Sequence, residues 1–196
     1  MAHKGFLLVF MHPPMAFEEE FNAWYDTEHI PERLSVPGVL TGLRYMNVQG
    51  GTPRYLAMYD LEHASVMDSP AYLRVAHDNS SPWTKRVTAR ARVQRFAGEQ
   101  AYPGHVVTGR PARVMVLRFR ALDQAGVAAV TSGLRASFEG RPEVKQVRVL
   151  VHNNGAAGKD VLGFIEAGAP LPDSVDPKAF GAAADAMDLV AQYSAF

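Results

Sequence analysis

The sequence predicts an α+β fold of two tandem ferredoxin-like repeats, each with the element order β-α-β-β-α-β. The alternation of predicted strands and helices in the first half recurs in the second half, beyond a linker near residues 102–110. A fixed offset of 105 residues also aligns the halves; the aligned pairs are Pro37 with Pro142, Val39 with Val144, Arg54 with Lys159, Leu56 with Val161 and Tyr59 with Phe164. We interpret this as an internal duplication, with repeats at 1–101 and 111–196.

Four strands and two helical regions are predicted in the first repeat. The strands are the apolar segments 5–11, 39–48 and 54–61 and the less regular segment 91–100. The first helix covers 16–30, where three glutamates lie at the positive end of the helix dipole and Pro31 is expected to end the helix. The second helical region covers 62–76 despite Pro70, and Ser81 and Pro82 begin a further helical turn.

The second repeat follows the same order of elements. Its strands are predicted at 113–120, 144–152 and 159–167, with a glycine-rich turn at 153–158 between the last two. Asp123 is a suitable N-cap for a helix that ends near residue 138. A helix is also predicted at 177–193, followed by a short edge strand in the last residues.

Each repeat would leave one face of its four-stranded sheet apolar and uncovered, because both helices pack on the other face. Packing sheet against sheet, or closing both sheets into a barrel, buries the two apolar faces. In a duplicated chain this closure takes place within one polypeptide. The prediction is therefore an intramolecular dimeric α/β barrel, and a homodimer of the whole chain is a further alternative.

Composition excludes several classes of function. The chain has 20 Lys and Arg against 20 Asp and Glu, so it lacks the basic excess that a nucleic-acid-binding protein or an electrostatic membrane anchor needs. It has no cysteine, which excludes disulfides, iron–sulfur clusters, thiolate zinc sites and a cysteine nucleophile. The apolar run at 6–11 is too short to span a membrane and has the features of a strand. A cytoplasmic location is expected.

The densest cluster of chemically capable side chains lies on the first predicted helix. Phe21, Trp24, Tyr25 and His29 are spaced so that they share one helix face. This face is aromatic and ends at histidine, the side chain whose ordinary pKa lies near neutral pH. Such a stripe is either part of the core or the wall of a pocket.

Residues 21–31 also carry a motif, F-x-x-W-Y-x-x-x-H-x-P, that resembles the EthD-like family of the dimeric α+β barrel superfamily. Tyr25 stands where that family usually has tryptophan, and the pair Arg44-Tyr45 in the next strand is also typical of it. The resemblance covers the first repeat. Members of the family are implicated in dehydration and cyclisation of polyketides and in ether degradation, and the wider superfamily includes cofactor-free monooxygenases, lactone isomerases and haem enzymes.

On this basis His29 is the candidate catalytic residue, a general acid or base that takes a proton from a substrate and returns it. The candidate substrate-binding residues are Trp24, Tyr25, Arg44 and Tyr59. The alternative for each residue is structural. The histidine would cap a backbone carbonyl that Pro31 leaves free, the aromatic rings would pack in the core, and the arginine would pair with Glu28 or Asp60.

The second repeat lacks this motif, since the offset places Leu134 at the position of His29 and Ala129 at that of Trp24. One site per chain is therefore expected. No histidine pair has the His-x-x-x-His spacing of a helical zinc site, and no Gly-x-Ser-x-Gly elbow occurs. Neither a metal nor a cofactor is predicted.

The preferred hypothesis is a cofactor-independent enzyme that acts on a small apolar, aromatic or polyketide-like carbonyl compound by dehydration, cyclisation, isomerisation or oxygenation. A second hypothesis is a non-catalytic accessory protein that binds a small hydrophobic molecule in the same place. A third is a haem-dependent oxygenase or peroxidase with His29 as the lone axial ligand. The first hypothesis needs an open cavity beside His29, whereas a cavity sealed by side chains, with His29 buried against a backbone carbonyl, would favour the second.

Overall fold

Eight antiparallel strands close into one barrel in a computed structural model that describes residues 3–196 without the side chain of His77. The predicted α+β class and the barrel closure are therefore confirmed. The strands are β1 (Gly5–His12), β2 (Leu43–Asn47), β3 (Tyr55–Leu61), β4 (Arg92–Tyr102), β5 (Arg113–Leu122), β6 (Val144–Asn153), β7 (Lys159–Ala167) and β8 (Met187–Ala195).

Two four-stranded sheets with the ferredoxin-like strand order make up the barrel. The first repeat contributes β4-β1-β3-β2, and the second repeat contributes β8-β5-β7-β6. The seams between the two sheets are the antiparallel pairs β2–β8 and β4–β6. Each repeat thus covers the apolar sheet face of the other, as the duplication predicts.

Three groups of buried apolar side chains form the core. One group fills the barrel interior and comes from both repeats; it includes Phe6, Tyr45 and Phe164. The other two groups lie outside the barrel wall, each between one sheet and the helices of the same repeat. Leu134, which corresponds to His29 in the second repeat, is fully buried in one of these outer groups. That position is therefore ordinary core in the second repeat.

The first helical segment differs from the prediction at Pro31. A 3₁₀ turn at Met15–Phe17 leads into α1 (Glu18–Trp24), a π-helical turn at Tyr25–His29 and α2 (Ile30–Leu34). The prediction that Pro31 ends the helix was wrong, because the wider π turn leads into a new α-helical segment with the proline in its first turn. Proline is tolerated at that position, where its missing N–H does little harm. Single π turns are frequent at functional sites.

Proline also divides the second helical region, which was predicted as one helix. A 3₁₀ turn covers Ala64–Asp68, and α3 covers only Pro70–Leu73. The hydroxyl of Ser69 accepts a hydrogen bond from the backbone N–H of Tyr72 and so caps this short helix. Further 3₁₀ turns lie at His77–Asn79 and Gly155–Ala157.

Two predicted helix starts are confirmed. Ser81 caps α4 (Pro82–Thr88), where its hydroxyl accepts a hydrogen bond from the backbone N–H of Thr84. Asp123 caps α5 (Gln124–Phe138) in the same way through the N–H of Gly126. Among the helices of residues 3–196, none combines the length and the apolar character that crossing a membrane requires.

The C-terminal segment differs from its prediction as a helix to residue 193. A 3₁₀ segment covers only Pro177–Ala186, and β8 follows directly. The prediction of a short edge strand was also wrong, because β8 pairs with both β5 and β2 and lies within the barrel wall. Every second residue, Leu189, Ala191 and Tyr193, packs in the barrel interior. This alternation is the period of two that is expected of a strand.

A buried ionic cluster joins the two repeats and the linker. Arg148 of β6 donates from Nη1 to Oδ1 of Asp60 on β3 at 2.6 Å, and from Nη2 to the hydroxyl of Thr108 at 2.7 Å. The backbone N–H of Thr108 donates to the other Asp60 oxygen at 2.7 Å, and Glu166 lies 3.5 Å from Arg148. Burial would raise the pKa of Asp60, but the guanidinium and these hydrogen bonds hold it below its ordinary value.

A glycine at the seam between the two sheets provides a test of the barrel closure. Gly98 of β4 pairs with β6, and a Cβ atom there would lie 2.1 Å from the carbonyl oxygen of Val151. We expect Gly98→Ala to lower the free energy of unfolding by about 1–3 kcal/mol, because the two strands must separate. Denaturant unfolding measures this loss. The control Gly51→Ala, whose Cβ would lie 3.5 Å from Asn47, should change stability little.

Candidate active site

A cavity of about 320 Å³ lies on the helix-covered side of the first repeat's sheet. Strands β1, β3 and β4 provide one side of it, and the π turn, α2, α3 and α4 provide the other. Its apolar lining includes Leu7, Val9 and Met11 from β1 and the ring of Trp24. The volume is within the range of small-molecule binding sites.

His29 lines this cavity at the end of the π turn. Its ring packs on Trp24 with a centroid distance of 4.3 Å and an angle of 31° between the planes. Tyr25 lies edge-on to it at 5.2 Å and Tyr59 at 6.5 Å. Nδ1 of His29 is buried and has no hydrogen-bond partner among the described residues, so Nε2 is the ring nitrogen available to a ligand. If His29 capped a backbone carbonyl, its ring would donate a hydrogen bond to that oxygen, and no hydrogen bond of this kind is present within residues 3–196.

The surroundings of His29 favour the neutral imidazole. Burial lowers its pKa to about 3, and the guanidinium groups of Arg33, Arg95 and Arg44 contribute in the same direction. A neutral ring can accept a proton only if the cavity also receives negative charge. The free protein therefore holds a base that becomes stronger when an anion lies beside it.

The depressed pKa of His29 predicts a loss of stability in acid. The unfolded chain binds a proton here below pH 6.5, whereas the folded protein does so only near its pKa of about 3. The free energy of unfolding should therefore fall as the pH drops through this interval, by up to roughly 1.4 kcal/mol per pH unit from this group. Urea titrations at several pH values should show a shallower fall in His29→Gln than in the wild type. Equal slopes in the two proteins would contradict the buried neutral state.

Two tyrosines line the same cavity. The hydroxyl of Tyr25 donates to the sulfur of Met11 at 3.3 Å, and that of Tyr59 is buried without a hydrogen-bond partner among the described residues. Burial raises the pKa of Tyr25 to about 12 and that of Tyr59 well above its ordinary value. Both hydroxyls therefore keep their protons, and that of Tyr25 would have to leave the sulfur of Met11 to donate to a ligand oxygen.

Trp24 is held in place by a chain of hydrogen bonds. Its Nε1 donates to the hydroxyl of Thr84 at 3.0 Å, and this hydroxyl donates to Oε1 of Glu28 at 3.2 Å. The same Glu28 oxygen accepts from Ser81 at 2.5 Å. Glu28 thus ties α4 to the π turn and positions the ring on which His29 packs.

Arg44 lies outside this cavity, on the other side of the Tyr25 ring. Its guanidinium is centred 4.5 Å from that ring and contacts Oδ1 of Asp26 at 2.6 Å and Oδ1 of Asn22 at 2.5 Å. The internal partner is therefore Asp26, not Glu28 or Asp60 as expected, because Asn22 and Asp26 lie one helical turn apart beside β2. Arg44 lines a second cavity of about 360 Å³. The other four predicted site residues all line the first cavity; they are Trp24, Tyr25, His29 and Tyr59.

The polar lining residues that were not predicted from the sequence include Arg33, Tyr72 and Arg95. Arg33 follows His29 by four residues, the spacing that places both on one helix face. The four-residue spacing was not used in the prediction, because the helix was expected to end at Pro31. Tyr72 and Arg95 come from α3 and β4, and their hydrogen bond of 3.0 Å depends on tertiary packing alone.

Metal binding and haem binding make separate demands on the side chains of the cavity. Among the side chains that the structure describes, no group of three or more His, Asp or Glu has the geometry to hold a metal ion. An axial histidine of haem usually donates its other ring N–H to a carboxylate, a carbonyl or water, which orients the ring. Nδ1 of His29 has no such protein partner in the described part of the chain, so water would have to orient the ring of an axial His29.

No family model matches the sequence, and no curated protein matches it significantly. Among solved structures, an anthrone oxidase-like protein aligns with a TM-score of 0.69 at 11% identity, over 100% of this chain and 92% of that chain. A candidate monooxygenase from Lactobacillus acidophilus NCFM gives 0.56 at 10% identity, over 99% and 93% of the two chains. A mutant chlorite dismutase from Candidatus Nitrospira defluvii also gives 0.56 at 10% identity, over 98% and 90%.

These alignments show the fold of the chain. The dimeric α+β barrel is common to all three structures and to this protein. The alignments cover almost the whole of each chain, so both repeats belong to the shared fold. The observed barrel is thus the fold that the motif at 21–31 predicts.

Proposed function

We propose that the protein is a small-molecule enzyme of the EthD-like type, in which His29 moves a proton of an aromatic or polyketide-like carbonyl compound. One observation carries this proposal. A neutral imidazole whose Nδ1 has no hydrogen-bond partner among the described residues lines a cavity of small-molecule size that is walled by aromatic rings and tyrosine residues. A histidine that served only packing would not need the open space beside it.

The arrangement suits removal of a proton from a carbon next to a carbonyl group. The C–H bond breaks, the proton passes to Nε2 of His29, and the electron pair moves to the carbonyl oxygen as an enolate. Tyr25 and Tyr59 are the candidate hydrogen-bond donors to this oxygen. Arg33 and Arg95 compensate its charge, and the same negative charge raises the proton affinity of His29 at the moment when it must accept the proton.

The protonated imidazole can then complete either of two reactions, and in both of them atoms and charge balance. It can return the proton to another carbon, which isomerises the substrate, or give it to a β-hydroxyl group, which leaves as water with the electrons of its C–O bond. With dioxygen as co-reactant, the enolate of an anthrone is instead oxidised to the quinone with release of water. The names of two similar structures, anthrone oxidase-like and monooxygenase, make this last reaction the first to test.

The test is a turnover assay of the purified protein with 9-anthrone in air and with an aromatic β-hydroxyketone under argon. We expect faster product formation with at least one compound, identified by mass spectrometry, and no change of rate when EDTA is added. A protein that accelerates neither reaction would favour the accessory-protein hypothesis. Turnover that requires added hemin would contradict the proposal and favour the haem enzyme.

A further inference from the structure

The charged groups that line the cavity are all of one sign. Arg33, Lys85 and Arg95 are lining residues, and the lining, all of it within the described residues, includes no aspartate or glutamate. Glu32 approaches Nη1 of Arg33 only to 3.9 Å, and Oε2 of Glu32 has no hydrogen-bond partner among the described residues. The amino group of Lys85 donates to the backbone oxygen of Asp78 at 2.6 Å. The positive charge of the cavity is thus largely uncompensated by the protein.

Two of these cations converge on one tyrosine. Arg95 donates from Nη2 to the hydroxyl of Tyr72 at 3.0 Å, and the guanidinium of Arg33 lies 5.2 Å from the centre of the same ring. The Arg33 side chain is only 7% exposed and donates to the backbone oxygen of Val75 at 2.7 Å. A guanidinium has five N–H donors, so both arginines keep donors for a ligand. The Tyr72 oxygen accepts from Arg95, which leaves its own proton to donate.

Arg33 is buried with no carboxylate oxygen closer than 3.9 Å, and an anionic ligand would lower the cost of burying its charge. Guanidinium groups match the geometry of carboxylates and bind other oxyanions by charge-assisted hydrogen bonds. The rest of the cavity is apolar and aromatic, which suits a flat ring. We infer that the ligand is a planar aromatic anion, with a carboxylate or phenolate oxygen held by Arg33 and Arg95 and its ring packed against Trp24 and Tyr59. The inference rests on the proposed function only in placing the substrate in this cavity.

Calorimetric titration with matched pairs of probes tests this inference. We expect 2-naphthoate to bind about 10- to 100-fold more tightly than its neutral isostere 2-naphthamide, the range of a charge-assisted hydrogen bond. Acetate, which has the charge without the ring, should bind weakly. A second arm uses 4-nitrophenol below and above its own pKa, and tighter binding of the ionised form would assign the phenolate as the anion.

Two arginine variants of β4 distinguish the effect of a charge in the cavity from the effect of the protein's total charge. Arg95→Gln should weaken 2-naphthoate binding by about 10- to 100-fold and leave 2-naphthamide binding unchanged. Arg92→Gln removes the same charge from the other side of β4, outside the cavity lining, and should change neither. Arg95 is exposed, so its replacement should leave the fold intact. Arg33 is buried, and its replacement would disturb the fold.

The outcomes distinguish this inference from the proposed function. Equal affinities for the acid and the amide, or no binding of either 2-naphthoate or 4-nitrophenolate, would overturn the inference and leave proton transfer by His29 untouched. Tight, Arg95-dependent binding of an anion by a protein that turns over no compound would support the inference and count against the enzyme.

Discussion

The variant His29→Gln is expected to lower kcat/KM by roughly 10²–10⁴-fold for any compound that the wild-type protein turns over. The glutamine amide has a similar reach and can form hydrogen bonds, but it cannot accept a proton. The loss should appear mainly in kcat, because the proton moves only on the way to the transition state. Steady-state kinetics of the two proteins at several substrate concentrations measure both parameters.

A second histidine provides the matched control. His105 lies in the linker, is exposed and does not line the cavity, so His105→Gln should keep the wild-type kcat/KM. Circular dichroism and thermal unfolding of His29→Gln check that the barrel is intact. A folded His29→Gln protein with wild-type kcat would remove His29 from the reaction and leave it a role in packing.

Replacing Asp60 with alanine is expected to lower the free energy of unfolding by about 3–5 kcal/mol. Both Asp60 and Arg148 are fully buried, and removing the carboxylate leaves the guanidinium without its 2.6 Å partner. The loss also frees the N–H of Thr108, which donates to Asp60 and fixes the linker between the repeats. Guanidinium-induced unfolding of the two proteins gives the difference.

An exposed ion pair serves as the comparison for this prediction. Asp188 lies 2.7 Å from Arg118, but its side chain is 43% exposed, and Asp188→Ala should cost no more than about 1 kcal/mol. The double variant Asp60→Leu with Arg148→Met should recover only part of the lost stability, because it removes the Asp60–Arg148 pair but leaves the buried carboxylate of Glu166 without its cation. Equal losses in Asp60→Ala and Asp188→Ala would contradict the assigned role of the buried cluster.

Local patterns were sufficient for most of the fold. Strand β7 begins and ends where its apolar pattern does, and the N-cap at Asp123 sets the start of α5. The wrong predictions concern segments in which tertiary packing overrides the local sequence preference. Pro31 follows a π turn that no simple helix rule anticipates, and β8 is required to close the barrel although the preceding residues are alanine-rich and helix-like. The alternation of Leu189, Ala191 and Tyr193 was the available signal for β8.

The candidate site was predicted in part for the same reason. The helical spacing of Trp24, Tyr25 and His29 identified one wall of the cavity, since these residues lie on one segment. Arg95 reaches the cavity from β4, far along the chain, and only the packed structure shows it. Arg44 was assigned to the site on its motif, whereas packing turns it to the far side of the Tyr25 ring.

The central claim is that a neutral imidazole faces a cationic aromatic cavity and gains basicity when an anion binds there. Nitrogen-15 NMR of the His29 ring, titrated in the free protein and with 2-naphthoate, measures this directly. We expect a pKa of about 3 in the free protein and a clear rise with the ligand bound. A pKa near the ordinary value of 6.5 in the free protein, unchanged by the ligand, would contradict the account.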